Sequence, residues 1–214
     1  MTGSDRSQAD RPYVILCVCT GNVCRSPVAE RLLAARLGPS VTVTSAGTLG
    51  LTGRAIEPAM AAHLAALGLS DVGFTARRLT AADLGRADLV LGLTRDHRAD
   101  AVEMAPSTVR RAFTLLEYAR LLGQIHPDEL PEGTAADRLR TATPLAAARR
   151  RMISGPIDTD DVVDPYRLAQ EVYDQSFSAI RIAVDAIADR ILPDTGSSPG
   201  QPQRTRRPWP ADTP

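Results

Sequence analysis

The chain has 214 residues, 43% of them hydrophobic, and its 25 basic and 25 acidic residues give a formal net charge of zero. That length supports one substantial core, and zero net charge provides no global field to attract nucleic acid or a membrane surface. No run is long and apolar enough to span a bilayer, and residues 1–12 lack a signal-peptide core, so we expect a cytoplasmic protein with no nucleic-acid partner and no membrane insertion.

The first predicted element is a strand, Tyr13–Val18, which leads through a tight turn into a helix. The strand is apolar and β-branched, as in a buried parallel strand. Pro27 suits the first turn of the helix, because its missing N–H has no partner there. Inward-facing amides and the positive end of the helix dipole together form a cradle for an anion. The turn contains the candidate residues Cys19, Thr20, Gly21, Asn22, Val23, Cys24, Arg25 and Ser26.

Within this turn, Cys19 and Arg25 stand in a C-x5-R-S spacing that suits phosphate chemistry. A thiol among N–H donors and beside a guanidinium ionises readily and becomes a nucleophile. Arg25 offers a planar fork for two phosphate oxygens. Gly21 and Asn22 tolerate the positive φ that turns the amides inward, and the Ser26 hydroxyl can donate to the thiolate. We predict a phosphate-binding nucleophile loop rather than a turn with these residues by coincidence.

The remaining elements alternate between strand and helix. Strands are predicted at Val41–Thr44, Asp88–Leu93 and Val109–Phe113. Helices are predicted up to Leu37, from Pro58 to Leu67, over Ala81–Gly85, from Thr94 to Met104, over Leu115–Leu122 and from Leu168 to Ile191, with Thr80 and Thr94 as N-caps. Helices between strands imply parallel pairing. The predicted fold class is α/β: a single three-layer domain with a four-stranded parallel sheet and the phosphate-binding loop after the first strand.

The stretch from Cys19 to Glu30, CTGNVCRSPVAE, resembles the signature loop of the low-molecular-weight protein tyrosine phosphatases. Residues 44–48, 76–98 and 164–166 resemble that family in the same order. The family shares its fold with thiol-dependent arsenate reductases and bacterial protein arginine phosphatases. The resemblance covers about residues 13–118 and 157–192. It implies a phosphorylated protein as substrate, inorganic phosphate as product, and neither cofactor nor metal.

Asp164 is the predicted acid, in an Asp-Pro-Tyr sequence that resembles the acid loop of the family. Pro165 keeps Asp164 out of helical geometry and holds its carboxyl on a short loop. A carboxylic acid placed there can protonate the oxygen that leaves phosphorus. The alternative is that the aspartates between 158 and 164 form a solvated cap on a helix N-terminus. Only Asp164 has the Asp-Pro-Tyr context, so it alone is assigned.

Leu51 and Tyr166 are the residues that the resemblance places on the rim of the pocket. Leu51 stands where the family usually has an aromatic residue, and Tyr166 is followed by Arg167 instead of a second aromatic. Phe74 stands where many relatives have a histidine that supports the loop. We therefore expect Asn22 to have fewer hydrogen-bond partners than in those relatives.

The predicted function is hydrolysis of phosphotyrosine through a phosphocysteine intermediate, with Cys19 as nucleophile, Arg25 as phosphate ligand and Asp164 as acid. One alternative is a protein arginine phosphatase. In the family that this chain resembles, arginine-directed members have Thr at the position of Val23. Val has a methyl group in place of the Thr hydroxyl, and a methyl group suits a phenyl ring better than a guanidinium. An arsenate reductase is less favoured because no cysteine follows Cys24. A non-catalytic phosphate-binding module is the remaining alternative.

Three segments fall outside the resemblance or the predicted fold. Residues 1–12 are predicted to be a flexible N-terminus, residues 13–192 the phosphatase domain, and residues 193–214 a disordered tail. Residues 123–155 are atypical for the family and contain an Ala- and Arg-rich run. We expect a solvated, partly helical insertion there, the alternative being a basic rim that attracts acidic partners.

Neither the cysteines nor the histidines have the spacing of a metal site. The three cysteines lie in one short segment without a nearby histidine, which suits neither zinc nor a disulfide framework. The three histidines stand alone and are expected to be surface or packing residues: His63, His97 and His126.

Overall fold

The computed structural model describes residues 11–150 and 160–192 and contains a four-stranded parallel sheet. Its strands are β1 (Tyr13–Cys19), β2 (Val41–Gly47), β3 (Leu89–Gly92) and β4 (Ala112–Thr114). They lie in the order β2-β1-β3-β4 and every pair is parallel. This arrangement confirms the predicted fold class. The predicted tail and the N-terminal segment up to residue 10 lie outside the described residues, as do residues 151–159.

Helices cover both faces of the sheet. They are α1 (Arg25–Leu37), α2 (Pro58–Ala66), α3 (Ala81–Arg86), α4 (Arg95–Met104), α5 (Leu115–Leu122), α6 (Ala135–Arg150) and α7 (Gln170–Ile191). Ile15 and Cys17 of β1 face a core with α1 and α7, whereas Leu16 and Val18 face a second core with α3 and α4. Successive side chains of a strand point to opposite faces of the sheet, so β1 contributes to both cores. No helix within the described ranges is long and apolar enough to cross a membrane.

Threonine side chains begin four of the described helices, including α6, where Asp137 N donates to Thr134 Oγ1 at 3.3 Å. Thr80 and Thr94 cap α3 and α4 as predicted, and Thr114, which was not predicted as a cap, forms a capping box with Glu117 at the start of α5. Each hydroxyl accepts a backbone N–H that the first turn leaves without an intrahelical partner. The caps of α4 and α5 directly follow β3 and β4, so they fix where the chain leaves the carboxyl end of these two strands.

The predicted starts of β3 and β4 are too early. Residues 109–111 belong to a turn that follows a short 3₁₀ helix, in which Arg111 N donates to Thr108 O at 2.8 Å. Val109 is 46% exposed, so its β-branched side chain does not mark a core strand. Before β3, the Asp88 carboxylate accepts the backbone N–H of Val14 at 2.9 Å. The strand propensity of these residues is therefore overridden, by the turn before β4 and by the contact with β1 before β3.

Helix α6 contradicts the prediction of a solvated insertion. Its inward face consists mainly of small residues that are almost completely buried, together with Leu139 at 0% exposure. The Thr143 hydroxyl lies 2.7 Å from the Tyr13 hydroxyl and 2.9 Å from that of Tyr118. The helix is therefore packed into the core beside β1 and α5.

The arginines of this segment up to residue 150, where the described part ends, are also engaged, which argues against a basic rim. Arg138 is buried and donates to Pro131 O at 3.0 Å. Arg149 and Arg150 each lie 2.6 Å from a glutamate, Glu129 and Glu117 respectively. Charges neutralised in this way leave little field for an acidic partner.

Replacement of a core residue on α6 measures how much this packing contributes. We expect Leu139→Ala to lower the free energy of unfolding by about 2–5 kcal/mol, because it leaves a cavity in a buried site. Leu145→Ala, on a half-buried position of the same helix, is the matched control and should cost clearly less. Urea denaturation measures both. Losses below about 0.5 kcal/mol for both variants, as at ordinary surface positions, would mean that α6 contributes no core.

Candidate active site

The loop between β1 and α1 curls around the Cys19 sulfur at the carboxyl end of the sheet. Asn22 N donates to Cys19 Sγ at 3.3 Å, and the Ser26 hydroxyl lies 2.9 Å from the same sulfur. Asn22 has φ of 56°, in the left-handed region that non-glycine residues other than Asn and Asp rarely adopt. Cys19 itself is 2% exposed. The loop thus directs two hydrogen-bonding groups at one nearly buried thiol.

Hydrogen bonds to its side chain hold Asn22 in this conformation. Its amide nitrogen donates to Ser26 Oγ at 2.9 Å and to Ser45 Oγ at 2.8 Å, and its oxygen accepts the Arg77 N–H at 2.9 Å. Ser45 in turn donates to Glu30 at 2.6 Å. The Asn22 side chain therefore has three hydrogen-bond partners in a chain that has Phe74 in place of the supporting histidine.

Glu30 is the residue that completes this network, a role that was not predicted for it. It lies on α1 and supplies the acceptor for the Ser45 hydroxyl. Burial raises the pKa of Glu30, and the hydrogen bond from Ser45 partly offsets this. A carboxylate at this point fixes the donor and acceptor roles of Ser45 and Asn22.

Close approach of β2 also supports the loop. Thr48 N and Leu49 N donate to the carbonyls of Cys19 and Thr20, both at 2.9 Å. Gly47 is required here, because a Cβ at this position would lie 2.4 Å from Thr20 O. The absence of a side chain thus allows β2 to contact the nucleophile loop directly.

Arg25 joins this loop to the segment before α7. The guanidinium is 4% exposed, donates through Nη1 to Val162 O at 3.2 Å, and lies with Nη2 2.5 Å from Asp164 Oδ2. Among the described residues, Arg25 Nε is buried and has no hydrogen-bond partner. A buried N–H without an acceptor is costly, so this edge of the guanidinium is suited to an oxyanion.

Asp164 lies at the mouth of the cavity and its side chain is 50% exposed. Asp164 Oδ1 also accepts the Tyr166 N–H at 3.1 Å, which holds the Asp-Pro-Tyr turn together. A carboxyl group that is half exposed can exchange protons with solvent while facing Arg25. The position suits a group that gives and takes a proton.

The cavity brings together most of the predicted site residues in a volume of about 250 Å³. Asn22 and Ser26 do not line the cavity and are fully buried. Their side chains therefore support the loop and do not contact a ligand in the cavity. Leu49 also lines the cavity and was not predicted. The lining residues are Cys19, Thr20, Gly21, Val23, Cys24, Arg25, Leu49, Leu51, Asp164 and Tyr166.

The second loop cysteine differs in its environment from the first. Burial, followed by the nearby Cys19, raises the pKa of the Cys24 thiol to about 12. Cys24 therefore stays protonated near neutral pH and is a poor nucleophile. Within residues 11–150 and 160–192, no group of three His, Cys, Asp or Glu side chains could hold a metal ion.

His97 is a site-adjacent residue that sequence reasoning assigned to the surface or to packing. It is 5% exposed, and its Nε2 lies 2.9 Å from the Thr20 hydroxyl of the nucleophile loop. Burial, and next the Arg25 charge, lower the pKa of His97 to about 4. The imidazole is therefore neutral near pH 7. No local sequence signal marks this contact, because it joins residues 77 positions apart.

Comparison with known families places most of the chain in one group. Residues 14–137 match the family model described as low molecular weight phosphotyrosine protein phosphatase. The match is more than half of the chain, and it extends into the segment 123–155 that the resemblance did not cover. Asp164 lies beyond the matched residues, so its placement depends on the geometry of the cavity.

Individual relatives carry two kinds of name. The low molecular weight protein-tyrosine-phosphatase Wzb of Salmonella typhi is 46% identical over 92 residues, which are 43% of this chain and 61% of that protein. Etp of Escherichia coli K12, with the same family name, is 45% identical over 102 residues, 48% of this chain and 67% of that protein. The structure of the YwlE arginine phosphatase from Geobacillus stearothermophilus aligns with a TM-score of 0.61 at 26% identity, covering 83% of this chain and 92% of that one.

Proposed function

Because this chain belongs to the low molecular weight phosphotyrosine protein phosphatase family, we propose that it hydrolyses phosphotyrosine esters in proteins through a phosphocysteine intermediate. The observation that carries the proposal is the buried Arg25 guanidinium, which faces Asp164, lines the same cavity as Cys19 and has an Nε without a hydrogen-bond partner. The substrate is a phosphorylated protein and the product inorganic phosphate. Three free cysteines suit a reducing compartment, which favours the cytoplasm.

In the first step the Cys19 thiolate attacks phosphorus, so the S–P bond forms while the bond to the phenolic oxygen breaks. The equatorial oxygens carry the negative charge of the transition state. Arg25 and the loop amides bind them in this scheme, which is supported by Asn22 N facing the Cys19 sulfur at 3.3 Å. Ser26, at 2.9 Å from the sulfur, stabilises the thiolate both before attack and when it leaves again.

Asp164 has two tasks in this scheme. In its protonated form it delivers a proton to the departing phenol, and as a carboxylate it then takes a proton from the attacking water. Water breaks the S–P bond and releases inorganic phosphate. The half-exposed position of Asp164 allows solvent to return the proton between turnovers.

The cavity walls favour an aromatic substrate. Val23, Leu49, Leu51 and Tyr166 all line it, and their apolar surfaces suit a phenyl ring. Val23 provides a methyl group at a position where a hydroxyl would serve a guanidinium.

Protein arginine phosphatase activity is the second candidate, favoured by the structural likeness to YwlE. An arsenate reductase is disfavoured because the sequence has no cysteine after Cys24 to pass on a disulfide. A mere binding module is disfavoured because Cys19 and Asp164 line one cavity.

The nucleophile assignment is tested by separating binding from turnover. We expect Cys19→Ser to abolish turnover while phosphate or vanadate still binds, because the loop amides and Arg25 remain. Arg25→Ala should lose both. The measurements are hydrolysis of a phosphotyrosine peptide and calorimetric binding of phosphate. Cys17→Ala, which changes a core cysteine outside the cavity, is the matched control, and more than trace activity in Cys19→Ser would contradict the assignment.

The acid assignment is tested with leaving groups of different basicity. Asp164→Ala should slow cleavage of phosphotyrosine peptides by about 10²–10⁴-fold, the usual range for loss of a general acid. An activated aryl phosphate should be affected much less, because its leaving group needs little protonation. Steady-state kcat with both substrates measures the difference. Equal losses would point to a structural role for Asp164.

The choice between phosphotyrosine and phosphoarginine is tested at Val23. The wild type should prefer phosphotyrosine peptides, because a methyl group leaves a guanidinium without a hydrogen-bond partner. Val23→Thr, which has nearly the same shape, should move the preference toward phosphoarginine. The measurement is the ratio of kcat/KM for the two peptides in both enzymes. A wild-type preference for phosphoarginine would establish the second candidate instead.

A further inference from the structure

The junction between β3 and α4, residues Leu93–His97, contacts the nucleophile loop (19–26) and the acid loop (160–166) at the same time. Leu93 O accepts the Val162 N–H at 2.9 Å, and Arg95 and His97 bond to Asp161 and Thr20. The two loops come from opposite ends of the chain. The short β3–α4 junction is therefore in contact with both loops and can hold them in a fixed relative position.

Asp161 is the contact on the side of the acid loop. Its Oδ1 accepts the backbone N–H of Arg95 at 2.7 Å, and its Oδ2 accepts from the Arg95 guanidinium at 3.1 and 3.2 Å. Arg95 is the first residue of α4, whose first N–H groups have no intrahelical partner and carry partial positive charge. Asp161 thus caps the N-terminus of α4.

His97 is the contact on the side of the nucleophile loop. Its Nδ1 lies 2.8 Å from the Thr94 hydroxyl and its Nε2 2.9 Å from the Thr20 hydroxyl. A neutral imidazole has one donor and one acceptor nitrogen, so both are used by these two threonines. Since the ring is buried, either contact is costly to lose.

We propose that the β3–α4 junction sets the position of Asp164 relative to Cys19, with Asp161 and His97 as its positioning residues. Neither side chain lines the cavity, so each acts through the loop it holds. Asp161 and Val162 fix the acid loop, and the Val162 carbonyl then receives Arg25 at 3.2 Å. His97 fixes Thr20, the residue next to the nucleophile. The inference rests on the proposed function, since both loops are assigned their chemistry there.

The two contacts predict different kinetic defects. Asp161→Ala frees the acid loop alone, so we expect kcat for a phosphotyrosine peptide to fall about tenfold while an activated aryl phosphate is little affected. Asp161→Asn keeps an oxygen for the Arg95 N–H and should retain most of the rate. Asp96→Ala removes an exposed acidic side chain from the same turn of α4 and is the matched control, with an unchanged ratio between the substrates.

Replacement of His97 should act on the nucleophile loop instead. We expect His97→Ala to lower kcat on both substrates by a similar factor of about ten, because both substrates need the same placement of the Cys19 sulfur for attack, whatever the basicity of the leaving group. His97→Gln carries an amide that can reach Thr20 and should restore most of the rate. Thermal unfolding of every variant gives the fraction that is folded at the assay temperature. The measured kcat is divided by this folded fraction, so that a loss of folded protein is not counted as a loss of rate.

The outcomes separate this inference from the function on which it rests. Unequal losses for Asp161→Ala, equal losses for His97→Ala and rescue by His97→Gln are the expected results. Equal losses for Asp161→Ala, unchanged rates in folded His97→Ala, or a His97→Gln enzyme as slow as His97→Ala would overturn the positioning roles. A wild type that cleaves neither substrate would instead overturn the proposed function.

Discussion

Burial of the Arg25 guanidinium is the constraint on which the site depends. A cation that is 4% exposed must be compensated, and the compensation comes from the Val162 carbonyl and the Asp164 carboxylate, 137 and 139 residues further along the chain. The acid loop is thereby drawn over the nucleophile loop by the same charge that is suited to bind phosphate. One side chain thus links the two ends of the fold and leaves one N–H edge for a ligand.

The shape of the nucleophile loop depends on a second set of contacts, those that keep Asn22 at positive φ. Three hydrogen bonds to its side chain outweigh the cost of that conformation, which is of order 1 kcal/mol or more for a non-glycine residue. Glu30 extends the network through Ser45. Support for such a loop depends on satisfied donors and acceptors more than on any particular supporting residue.

What the sequence predicted well is what is local. The β1–loop–α1 unit is one continuous stretch of sequence. Thr80 and Thr94 each accept a hydrogen bond from a residue three positions later, so a short sequence pattern is enough to predict them as caps. His97 and Asp161 were missed because their partners are far away in sequence. Helix α6 was misjudged because its buried face is made mainly of alanine and threonine, whose composition resembles a solvated helix. Burial of small residues depends on what the rest of the fold brings to them.

Gly47 carries a consequence for comparing sequences. Its missing side chain is what lets the Thr20 carbonyl approach, since even an alanine Cβ would sit 2.4 Å from that oxygen. A homologous chain with any other residue at this place cannot keep the same spacing between the second strand and the nucleophile loop, however well its Cys and Arg align. The residue at this position therefore distinguishes homologues that can keep this backbone geometry from those that share only the Cys and Arg spacing.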